Sequence, residues 1–251
     1  MKSGIGRGTR MLLEILVVLF VATLVRSVFG FGEALVAVPL LALFVPVDVA
    51  APVAALISIT VAALVLAQDW SKVHVRSAGW LVLSTVVGLP LGLLLLTRAP
   101  ESAVKAVLAV SIVGFSLYSL IGRRPIALKN DRWAWLFGLG AGVFGGAYGM
   151  NGPPLVVYGT LRGWSPQHFR ATLQGYFLPA SIMVMAGYWI AGLWTSTVMR
   201  YYLLSLPATA AAVLIGRVFN RRLDGSRFLL YVHMGLTAIG LALLAQAVAG
   251  S

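Results

Sequence analysis

Ten apolar runs separated by short loops decide what this chain can fold into: residues 11–28, 33–45, 49–68, 78–97, 103–121, 132–149, 153–161, 167–190, 198–216 and 228–248. A helix needs about 20 apolar residues to cross the hydrocarbon core of a bilayer. Most of the runs approach that length. Runs 33–45 and 153–161 fall short, and each follows a glycine-rich break. Only 10% of the chain is charged and 60% is hydrophobic, which leaves too little polar surface to face water. The expected fold is therefore an all-α polytopic membrane protein with 8–10 membrane segments. Glu14 inside the first run and Arg26 after it argue for a retained helix and against a cleaved signal peptide.

The net charge of +12 raises nucleic acid as a partner, but the basic residues form no patch and no strip interleaved with aromatics. They collect in alternate loops. Lys72 and Arg76, then Arg123, Arg124, Lys129 and Arg132, then Arg162 and Arg170, then Arg217, Arg221, Arg222 and Arg227 account for 12 of the 19. The connections between those loops hold only Arg98 and Lys105. The positive-inside rule makes the first set cytoplasmic. Segment 132–161, flanked by two cytoplasmic loops, must then enter and return as a two-legged hairpin. Residues 11–45 are expected to do likewise, which puts the N-terminus outside with Lys2, Arg7 and Arg10. The alternative is a single broken crossing with the N-terminus inside.

The two broken stretches match. VFGFGEALVAVPLL (28–41) lies over VFGGAYGMNGPPLVV (143–157), with Gly30 on Gly145 and Pro39 on Pro154 at an offset of 115 residues. Pro90 matches Pro207 at an offset of 117. The expected organisation is a first transmembrane repeat over 1–121, a basic cytoplasmic linker over 122–131 and a second repeat over 132–251. Each repeat is a glycine-broken hairpin plus three spans. Five segments is an odd number, so the repeats are inverted, a plan in which broken helices meet at a substrate site near the midplane.

The motifs FGFGEALVAVPLL and GAYGMNGPPLVVYGTL resemble the twice-occurring glycine-rich, proline-ended motif of the TauE/SafE family of sulfite and organosulfonate exporters. Spans and repeat extend the resemblance over nearly the whole chain. It implies an inner-membrane, multi-pass transporter, not an enzyme, that exports small sulfur-containing anions such as sulfite, sulfoacetate or similar organosulfonates by alternating access. An importer or a channel for sulfur oxyanions is the alternative, and an intramembrane enzyme is the weaker one, for want of an acid–base pair or a nucleophile motif. The chain departs from a plain glycine run at Glu33, Tyr148, Met150 and Asn151.

Glycine lets backbone approach a ligand, and proline stops a helix from continuing upstream. Together they expose N–H groups at the start of a short half-helix, which favours an anion. The expected substrate site is built from Gly30, Phe31, Gly32, Glu33 and Pro39 at one tip and from Gly145, Gly146, Tyr148, Gly149, Asn151, Gly152 and Pro153 at the other. The same glycines also suit close helix packing. Glu33 is either a proton carrier that couples transport or the structural partner of Arg26. Arg26 either meets the anion or snorkels to an interface. The Asn151 amide is either a donor to the anion or a turn residue. Gln174 and Tyr176 lie in an apolar run and need partners, from a neighbouring helix or from the cavity.

His74, His168 and His233 are far apart, the chain has no cysteine, and no metal-ligand spacing or cofactor fingerprint appears. No cofactor is expected. The expected partners are the small anion, the lipid bilayer, a proton if transport is coupled, and a second copy of the chain if it dimerises. The seven tryptophans fall near span ends, as an aromatic belt.

Overall fold

The computed structural model describes residues 2–29, 32–69, 75–121, 128, 131–164, 166–220 and 225–249. Every apolar run becomes a helix: α1 (Lys2–Phe29), α2 (Glu33–Leu41), α3 (Val47–Asp69), α4 (Val75–Arg98), α5 (Glu101–Ile121), α6 (Ala134–Tyr148), α7 (Gly152–Leu161), α8 (Pro166–Ile190), α9 (Ser196–Asn220) and α10 (Gly225–Ala249). A 3₁₀ turn over Asp131–Trp133 leads into α6. There is no strand among the described residues. Helices α1, α3, α4, α5 and α9 each hold a stretch long and apolar enough to cross a membrane.

Segment 132–161 is a hairpin. The Leu128 amide donates to the Leu161 carbonyl at 2.8 Å, so the chain leaves beside the place where it entered. The Phe137 and Tyr158 rings lie 5.3 Å apart across the two legs. The 15 residues of α6 and the 10 of α7 rise about 22 Å and about 15 Å at 1.5 Å per residue, short of the roughly 30 Å core. The tip between them must therefore sit inside the membrane. Helix α2 has nine residues and also packs back on α1, with Glu33 reaching Thr23. Of the two arrangements the sequence leaves open for 11–45, the fold has the hairpin.

The packing crosses between the halves. α1 lies on α9 and α6 on α4, α3 meets α8 and α9, α8 meets α3 and α4, and α5 lies on α10. The α4–α6 contact is the most extensive, and glycines make it so. A Cβ on Gly88 or Gly92 would strike the α6 backbone at Leu139 or Val143, and one on Gly142 or Gly146 the α4 backbone at Thr85 or Leu89. Such backbone approach is how membrane helices associate where no hydrophobic drive exists. Facing outward are Leu91, Leu94 and Val110, each more than half exposed, with Trp80 and Trp189 near helix ends. Such a surface suits lipid.

Candidate functional site

The two tips meet. One cavity is lined by Gly32, Glu33, Ala34 and Leu35 from the first break and by Gly149, Met150, Asn151, Gly152 and Pro153 from the second. Arg26 of α1, Ser58 of α3, Phe115 of α5, Val156 of α7 and Phe177 and Ser181 of α8 complete the wall. Its volume is about 30 Å³, room for two or three waters, since one needs about 10–15 Å³.

Each tip is built by local chain geometry. Gly32 has φ 96°, a left-handed conformation that glycine adopts without strain, and it turns the chain into α2. Its carbonyl accepts from the Val36 amide at 3.1 Å. The amides of Glu33, Ala34 and Leu35 fill the first three helical positions, where a helix offers them no acceptor. At the second tip Gly149 has φ 65° and ends α6. The Gly149 amide donates to Gly145 at 2.8 Å and the Met150 amide to Phe144 at 3.2 Å, a paired C-cap.

The two tips do not offer equal rows of free amides. Helix α7 opens Gly152-Pro153-Pro154, and proline carries no N–H. The second tip therefore offers the Gly152 amide, supplemented by the Asn151 side chain, against three amides at the first.

Arg26 and Glu33 form an ion pair in the cavity wall, Nη1 to Oε2 at 2.9 Å, with side-chain exposures of 7% and 1%. Nη1 also donates to the Ser58 hydroxyl, and the Thr23 hydroxyl donates to Glu33 Oε1 at 3.3 Å. The Arg26 guanidinium lies 5.6 Å from the centre of the Phe177 ring, a cation–π contact. Arg26 thus faces the cavity and does not snorkel away. Across the cavity, Asn151 Nδ2 donates to the Tyr176 hydroxyl at 3.4 Å, and that hydroxyl shares a 2.6 Å hydrogen bond with Thr85 of α4. Tyr176 therefore finds both its partners, one on a neighbouring helix and one on the tip.

Of the residues expected at the site, Arg26, Gly32, Glu33, Gly149, Asn151, Gly152 and Pro153 line the cavity. Pro39, Gly145, Gly146 and Tyr148 do not. Pro39 is buried within α2. Gly145 accepts the Tyr188 hydroxyl at 3.1 Å and lies under the Asn151 side chain, with 2.7 Å from a notional Cβ to Oδ1. Gly146 serves the α4 contact. Tyr148 points to the Val104 carbonyl, at 2.9 Å. Gly30, Phe31 and the side chain of Gln174 lie outside the described residues. Sequence reasoning missed Ser58 and Ser181, whose signal is a lone serine in an apolar run. It also missed Phe115 and Phe177, which carry no signal at all.

A family model described as "Sulfite exporter TauE/SafE" matches residues 15–243, nearly the whole chain. No curated protein and no solved structure matches it. Motifs, paired hairpins and family match agree, and the chain is a multi-pass helical membrane protein of the TauE/SafE sulfite exporter family.

Proposed function

We propose that this protein exports small sulfur-containing anions, sulfite or a short organosulfonate, across the inner membrane by alternating access. The observation that carries the reading is a cavity to which both glycine-broken tips contribute, with Arg26, Asn151 and the first amides of α2 around it. A guanidinium, a side-chain amide and the positive end of a half-helix suit an oxyanion, and a membrane interior makes each of them stronger than it is in water.

The cross-packing of α1 with α9 and α6 with α4 supports the two-repeat organisation, because a two-fold relation between residues 1–121 and 132–251 exchanges those two pairs. Rocking of one half against the other would open the cavity to each side in turn.

Labelled sulfite flux in proteoliposomes of known orientation tests the reading. Saturable flux that Asn151→Asp abolishes is expected. Absence of flux for sulfite, sulfoacetate and methanesulfonate alike would overturn it, and net flux only toward the cytoplasmic face would make the protein an importer.

A further inference from the structure

Among the described residues, the one cation in the cavity wall is already held by a carboxylate of the same chain. Glu33 is at the first position of α2, the place where an incoming anion would meet the helix amides, and it takes Arg26 Nη1 at 2.9 Å. A second negative charge in a space of about 30 Å³ would face that carboxylate at close range, with one guanidinium to serve both.

Among the described residues, the surroundings offer Glu33 no other charge. On α1 the groups near it are Arg26 and the neutral Thr23; on α3 there is Ser58, on α5 Phe115, on α8 Phe177, and on the opposite tip Asn151. Asp48 of α3 and Glu101 of α5 line a separate depression, where Glu101 pairs with Lys105 at 3.1 Å. Helix α10 also touches α2, and the side chain of its His233 lies outside the described residues. Arg26 is therefore the only charged partner of Glu33 among the described residues.

Resting on the anion-export reading, we infer that Glu33 competes with the transported anion for Arg26, and that a monovalent sulfur oxyanion takes its place there while Glu33 takes up one proton from water. The bookkeeping closes on one guanidinium cation, one substrate anion and one neutral carboxylic acid, so the cavity carries no net charge before or after exchange. The site then selects monoanions over dianions, because Arg26 balances one charge only. Anion and proton bind in the same state, so they move together.

Methanesulfonate is the suitable probe, since it stays a monoanion across the useful pH range. Its binding to the purified full-length protein is measured by calorimetry at several pH values, in buffers of different ionisation enthalpy. The expected result is uptake of about one proton per anion at high pH, and an affinity that falls about tenfold per pH unit above the point where Glu33 ionises. Glu33→Gln is expected to bind methanesulfonate with no proton uptake and no pH dependence. Wild-type binding without proton uptake at any pH would overturn the competition while leaving the export reading intact. Failure of every sulfur anion to bind both wild type and Glu33→Gln would overturn the export reading, and this inference with it. The wild-type proton count needs no variant, so it decides the matter even if Glu33→Gln fails to fold.

Discussion

Arg26 Nη1 donates to Glu33 Oε2 across 2.9 Å, joining the last turn of one helix to the first residue of the next around a left-handed glycine. Both side chains are shut off from bulk solvent, so each charge depends mainly on the other. Removing one partner strands the other. Arg26→Gln is expected to lower stability by about 3–5 kcal/mol, the usual cost of an uncompensated buried charge. The double variant Arg26→Gln/Glu33→Gln should recover part of that loss, a coupling that a double-mutant cycle on thermal unfolding would measure. Additive losses would mean that the two side chains act independently.

The glycines divide into two jobs, and substitution separates them. Gly142→Ala drives a methyl into the α4 backbone and should reduce folded yield and melting temperature. Gly152→Ala meets only the Phe177 ring edge, at 4.0 Å, so the protein should fold normally. It does add a methyl to the cavity wall. Substrate affinity should fall by about 10–200-fold, the range for one misfitting methyl in a closed site. Size-exclusion profiles and flux on the same preparations check both halves.

Asn151→Asp keeps the shape of the side chain and replaces a donor with a negative charge. Flux of any anion should vanish, and the melting temperature should fall as well, because the new carboxylate stands at a buried position. Normal flux in Asn151→Asp would remove the second tip from the site.

Tyr176→Phe deletes the hydroxyl that stands between Thr85 and Asn151. Thr85 still has the carbonyls of Leu81 and Gly138 in reach for its one hydroxyl proton, so the stability loss should be only about 1–2 kcal/mol. The Asn151 tip loses its tether to α8, so apparent substrate affinity should weaken more than melting does. Titrated flux alongside thermal unfolding gives the comparison.

Much of this was legible in the sequence because a bilayer simplifies the reading. Backbone groups in lipid must be satisfied within a helix, so each apolar run can become little else. That is why 153–161 and Gly152–Leu161 nearly coincide, and why the basic loops around 132–161 foretold a hairpin that Leu128 and Leu161 close. The site was harder to read. Gly145, Gly146 and Gly149 look alike in sequence, yet helical phase turns Gly146 to α4 while Gly149 reaches the cavity. Pro153 and Pro154 open α7 and remove two of its amide donors, which makes the second tip poorer than its likeness to the first suggests. Phe115 and Phe177 join the wall through tertiary packing, which no local pattern announces.

Anomalous diffraction from crystals soaked in selenite locates the substrate analogue by its selenium. The account predicts one peak in the cavity between residues 32–35 and 149–153, within hydrogen-bond reach of the Gly152 amide and the Arg26 guanidinium. A peak placed instead in the depression beside Asp48 and Glu101, or none between the tips, would contradict it.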